Sequence, residues 1–207
     1  MGATGEEAEV ERLAGEARRV IERLSGLDET EATLRFLAWL NTRVAEPRGG
    51  RVVVTGGFAA EVYSGRAYRT LDVDIIVEGG PRVTRLVEKL LEALGERPAR
   101  EYLVPGLPKA IDIVATTLGD REIVEIETPE GRVYIESPED TIAAYLRGLR
   151  YWRSPEDRDK ALAVLTAWLE RLDLEQLRRL AARDTTLEEL ERLLEVAKRI
   201  RGARRHT

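Results

Sequence analysis

The strand-forming residues of this sequence are confined to one window, 51–136, with helix-forming stretches on both sides. "RVVVT" at 51–55 is a β-branched run that ends on Gly56-Gly57, and "LDVDIIV" at 71–77 is a second apolar run stopped by "EGGP". "KAIDIVAT" at 109–116 reads as a third strand, and "EIVEIETPEGRVYIE" as two more around a Pro-Glu-Gly turn. Helices interrupt them. "FAAEVYSG" predicts a short one stopped at Gly65. Pro81 opens a longer one through Val83, Leu86, Val87, Leu90, Leu91 and Leu94, closed by Gly95. Such a window must build a mixed sheet and cover it with its own and flanking helices, an α+β class.

The flanks carry clear helix signals. Val10, Leu13, Ala17, Val20, Ile21 and Leu24 follow the three-four spacing of an amphipathic helix over 6–24. Asp28 followed by Glu31 resembles a capping box, opening a second helix that runs to about Val44 and is broken by "EPRGG" at 46–50. "SPED" occurs at 137–140 and again at 154–157. Each copy puts Ser at the N-cap, Pro at the first helical position and acids in the first turn, so the pair predicts a helical hairpin. "TLEELERLLEVAKRI" supplies a final helix from about Thr186. The expected organisation is an N-terminal helical segment at 1–48, an α+β core at 49–136 and a C-terminal helical region at 137–207.

Composition narrows the chemistry. There is no cysteine, and the only histidine is His206, next to last, so thiolate and histidine metal sites and histidine triads drop out. Catalysis here has to use carboxylates, hydroxyls, arginines and cations held by oxygen. Four of the 33 basic residues are lysines, leaving 29 arginines, and Asn41 and Gln176 are the only side-chain amides. That bias suits either a thermophilic source or a GC-rich genome. A net charge of −5 argues against a surface built mainly to hold nucleic acid. The tail "KRIRGARRHT" is either a solvated terminus or an RNA contact. No apolar run reaches the eighteen or so residues of a bilayer span, and the first residues lack the pattern of a secretory signal, so a cytoplasmic protein is expected.

The candidate site lies in "TGGFAAEVYSGRAYRTLDVDIIV" at 55–77. Residues two apart on a strand share a face, so Asp72 and Asp74 point together while Val73, Ile75 and Val77 face the other way. Two carboxylates that close repel, and a divalent cation with oxygen ligands resolves the conflict. An exposed edge strand with polar outer positions is the alternative. Gly56-Gly57 is either a phosphate approach to bare backbone amides or a tight turn that needs positive φ. Asp112, with apolar neighbours in "AIDIVAT", either joins the other two acids across the sheet or caps a strand or pairs with an arginine.

In combination these residues resemble the nucleotidyltransferase superfamily with the DNA polymerase β-like fold. The likeness is nearest to its minimal, abortive-infection-type and uncharacterised prokaryotic branches. The matching residues are Gly56, Gly57, Ala59, Arg69, Thr70, Asp72 and Asp74, and "SPEDTIAAYL" at 137–146 is similar to a helix start that follows the catalytic sheet there. The likeness spans roughly 51–165. It implies two magnesium ions, or manganese, held by Asp72, Asp74 and Asp112, with Asp112 helping to deprotonate an acceptor hydroxyl. It also implies a nucleoside triphosphate such as ATP cradled by Gly56 and Gly57, its charge met by Arg66 and Arg69 beside Thr70. Arg66 has the alternative of a surface salt bridge to a nearby glutamate. The acceptor is left open: RNA such as a tRNA end, a protein hydroxyl or a small molecule. Three positions depart from the pattern. Gly57 stands where many members have Ser, Tyr145 where they have Lys, and Leu162 where they have an acid. Tyr145 is then either a base-stacking ring or a partly buried core tyrosine. A non-catalytic, antitoxin-like binding protein that engages a helical partner or a second copy is the alternative function.

Overall fold

The computed structural model describes residues 2–204. His206 and the end of the basic tail lie outside the described residues. Chain contacts divide into two compact units, one of residues 1–55 and 70–135, the other of residues 56–69 and 136–207.

The first unit is built on the mixed sheet. Its strands are β1 (Arg51–Thr55), β2 (Asp72–Glu78), β3 (Ala110–Ala115), β4 (Ile123–Thr128) and β5 (Gly131–Glu136), in the order β3-β2-β1-β5-β4. β1 runs antiparallel to β2 and parallel to β5, and β2 runs parallel to β3. Alternation does what the sequence predicts on one face: Val73, Ile75 and Val77 are fully buried. On the other face, Val53, Ile76 and Leu118 form a small apolar cluster with Ala115, Ile123 and Tyr134 against it.

Three helices complete this unit: α1 (Gly2–Leu24), α2 (Glu29–Leu40) and α4 (Pro81–Leu94). Asp28 caps α2 by accepting from the Thr30 and Glu31 amides. α4 packs its predicted apolar stripe onto α1 and β2. The second helix does not stay α-helical to Val44. It widens into a π turn at Asn41–Ala45 and tightens into a 3-10 turn at Glu46–Arg48, ending on Gly49 at φ 72°. That irregularity turns Asn41 into the sheet. Its amide accepts from the Val52 N–H at 2.8 Å and donates to the Arg132 carbonyl at 3.0 Å, tying the starts of β1 and β5 together. Buried amides need such partners.

The second unit contains α3 (Gly56–Tyr63), α5 (Pro138–Trp152), α6 (Pro155–Trp168), α7 (Leu174–Arg183) and α8 (Leu187–Arg204). Ser137 and Ser154 cap α5 and α6 by accepting from the Asp140 and Asp157 amides, and the two helices form the predicted hairpin. They approach closely at Gly148, where a Cβ would overlap the Asp157 carboxylate. α3 is held by aromatic contacts. The Tyr63 hydroxyl donates to the Glu136 carbonyl at 2.9 Å, and the Trp168 indole donates to the Tyr63 carbonyl at 2.7 Å. The two rings meet edge to face at 5.1 Å. No helix among the described residues is long and apolar enough to cross a membrane.

Candidate active site

β2 is an inner strand, flanked by β1 and β3, so the aspartates do not lie on a sheet edge. The parallel register sets Asp72 beside Ala110 and Asp74 directly beside Asp112. On its other side Asp74 pairs with Thr55, the last residue of β1. Asp72, Asp74 and Asp112 therefore share one face, and all three are half-buried. Further along that face comes the apolar cluster around Ile76. The carboxylates thus stand where a hydrophobic layer stops, an environment that strengthens their mutual repulsion.

Thr70 and Lys109 organise the approach to β2. The Thr70 hydroxyl donates to Asp72 Oδ1 at 2.5 Å, and the Lys109 ammonium donates to the Thr70 carbonyl at 2.5 Å. Lys109 is only 4% exposed, and no sequence pattern singled it out. Its signal was compositional: a lysine in an arginine-rich chain, placed directly before the strand that carries Asp112. A compact ammonium reaches a single carbonyl more easily than a planar guanidinium does. Between Thr70 and Asp72, Leu71 is 89% exposed while its carbonyl accepts from the Ala110 amide.

The remaining predicted residues belong to the second unit. α3 starts at Gly56 itself, with no loop after β1, and Gly56 adopts φ 62°. The positive-φ requirement is therefore real at Gly56, and both glycines are first-turn helical residues rather than a separate turn. Arg66 and Arg69 are exposed, and Arg66 follows the end of α3 at φ 69° with its amide donating to the Glu61 carbonyl. Tyr145 is half-buried, with the Lys160 ammonium 5.3 Å from its ring centre, the environment of a core tyrosine. Lys160 also lies 4.8 Å from the Tyr68 ring and pairs with Glu156 at 2.8 Å. Burial pulls the Lys160 pKa down, but the bonds to Glu156 and Tyr68 outweigh it and leave the ammonium firmly charged. A lysine from α6 thus occupies the surroundings of position 145, which itself lacks one.

The fit to a divalent cation rests on chemistry and register. An all-carboxylate set on one sheet face suits a hard, oxygen-preferring ion. Among the described residues no three acidic or histidine side chains converge on one point. A cation here would take its other ligands from water and substrate phosphates, as magnesium commonly does.

No family model matches the sequence, and no curated protein matches it. Among solved structures, the chain is similar to an antigenic nucleotidyltransferase-like protein from Paracoccidioides brasiliensis. That likeness has a TM-score of 0.55 at 15% identity and covers 83% of this chain and 94% of that one. The antibiotic-resistance factor ANT(2'')-Ia is also similar, at 19% identity and a TM-score of 0.47, over 80% of this chain and 97% of that one. With the five-stranded mixed sheet and its flanking helices, the first of these likenesses gives the chain a nucleotidyltransferase-like fold.

Proposed function

We propose that this protein transfers a nucleoside monophosphate from a nucleoside triphosphate to an acceptor hydroxyl. The observation that carries the reading is the pairing of Asp74 with Asp112 on inner, parallel strands, with Asp72 on the same face. In the reaction the acceptor oxygen bonds to the α-phosphorus, the bond from that phosphorus to the bridging oxygen breaks, and pyrophosphate leaves. Asp72, Asp74 and Asp112 would hold magnesium or manganese, which neutralises triphosphate charge and makes the acceptor hydroxyl more acidic. Asp112 takes part in removing the hydroxyl proton. Thr70 and Lys109 keep the Asp72 carboxylate oriented. Gly56 and Gly57 offer amides of a helix start to the β- and γ-phosphates, and Arg66 and Arg69 meet their charge.

Titration calorimetry with magnesium and each nucleoside triphosphate tests the reading. Metal-dependent binding to the wild type and its loss in the Asp72→Ala/Asp74→Ala double variant are expected. Incubation with α-labelled triphosphates and RNA, protein or small-molecule acceptors then reads the transfer itself. The second reading, a regulatory or antitoxin-like binding protein, is favoured by the lack of three converging acids among the described residues. It predicts triphosphate binding that ignores metal, or none, and no label on any acceptor.

A further inference from the structure

The second unit carries a basic cleft that the transfer reaction does not use. It has a volume of about 620 Å³ and is lined by Arg150, Arg153, Arg158 and Arg192 together with Glu189. Four guanidinium groups line the cleft beside Glu189, in a chain whose overall charge is −5, and Asp159 and Glu188 pair with two of them from outside the lining. Glu189 is itself nine-tenths buried; Oε1 accepts from Arg150 at 3.0 Å, and Oε2 is buried with no hydrogen-bond partner among the described residues. A buried, unpaired carboxylate oxygen is costly, so Glu189 is held in place chiefly by its bond to Arg150.

The other arginines are held weakly. Arg158 pairs with the adjacent Asp159 and Arg192 with Glu188, in pairs whose side chains are more than half exposed. Exposed pairs of this kind exchange readily for a phosphate, which accepts both arms of the guanidinium fork. Arg153 makes no ion pair among the described residues, and it ends α5 at φ 52°, a conformation for which glycine is the usual choice. The adjoining Tyr151 and Trp152 are 57% and 77% exposed. Arg150 and Arg153 thus bracket two aromatic residues next to the cleft's lining in the chain: Tyr151, whose hydroxyl is bonded to Asp184 and Thr185, and the open Trp152.

We infer that this cleft binds single-stranded nucleic acid, with backbone phosphates on the arginines and an unpaired base stacked on Trp152. An exposed indole beside guanidinium groups suits a base and a phosphate together, whereas an acidic peptide has no use for the ring. The inference concerns the second unit alone and holds whether or not the carboxylates catalyse transfer.

The test is fluorescence anisotropy of the full chain in chelator, without metal. The probes are labelled single strands of about twelve nucleotides, ribose and deoxyribose in separate arms, beside a polyglutamate peptide of similar length. Binding of the strands, weakened about tenfold by Trp152→Ala, is the expected result. Arg153→Gly removes a charge while relaxing its backbone, so it should keep or raise the melting temperature. It should also lower the slope of log affinity against log salt by about 0.7. A stronger ribose arm assigns RNA, and equal arms assign either strand. Failure of both strands to bind, or binding indifferent to both variants, overturns the inference. Polyglutamate binding as tightly as the strands, and unaffected by Trp152→Ala, also overturns it and makes the cleft a site for acidic peptides.

Discussion

Asp74 and Asp112 are register partners on neighbouring parallel strands, so two like charges stand side by side on one face of the sheet. Like charges directly opposite on paired strands are destabilising by roughly 0.2–1 kcal/mol. Asp112→Asn should therefore raise metal-free stability by about that amount in urea unfolding. The same change should remove any rise in melting temperature on adding magnesium, and should lower transfer by at least about 100-fold, beyond the loss usual for outer-shell partners. A variant less stable than wild type without metal would contradict the repulsion.

Lys109 supports the site from beneath. Lys109→Met keeps the aliphatic stem but strips the donor from the Thr70 carbonyl. Leaving a buried carbonyl short of a partner costs about 1–3 kcal/mol. Because Thr70 in turn bonds Asp72, the magnesium-induced shift in melting temperature should shrink as well. Unfolding in urea with and without magnesium separates the two effects.

Gly56→Ala tests the passage from β1 into α3. The backbone there has φ 62°, a region where a Cβ costs roughly 1–2 kcal/mol. A loss of that size in chemical denaturation is expected, with helical circular dichroism retained. An alanine variant as stable as wild type would mean that α3 can begin one residue later at no cost.

Stability should depend on pH through Glu130. Arg35 grips both of its carboxylate oxygens, at 2.5 and 2.8 Å, and this hydrogen bonding holds the Glu130 pKa below its ordinary value of 4.5. A carboxylate that binds its proton less readily when folded contributes stability above the unfolded pKa and loses it as pH falls through the folded one. Glu130→Gln should thus cost about 1–3 kcal/mol at neutral pH, with the gap to wild type closing in acid below 4.5. Melting temperatures of both proteins across that range give the answer.

Gly148→Ala probes the α5–α6 hairpin, where an added Cβ would run into the Asp157 carboxylate. Overpacking of this kind costs typically about 1–3 kcal/mol. The double variant Gly148→Ala/Asp157→Ala should recover most of the loss, because the overlapping atoms are then gone. Recovery below half, read from urea midpoints, would place the strain in the helix backbones instead.

The sequence by itself determined the local elements and the identity of the carboxylates. Asp28, Ser137 and Ser154 announce their helices because a capping oxygen acts on amides only two or three residues away. Asp72 and Asp74 share a face for an equally local reason, the two-residue period of a strand. Non-local relationships were decided only by tertiary structure. The placing of β2 inside the sheet, the register that sets Asp74 beside Asp112, the reach of Asn41 across β1 and β5, and the burial of Lys109 under Thr70 all join residues far apart in the chain. Strand pairing of this kind is selected by the packing of whole faces, whose cost and gain no short stretch of residues records.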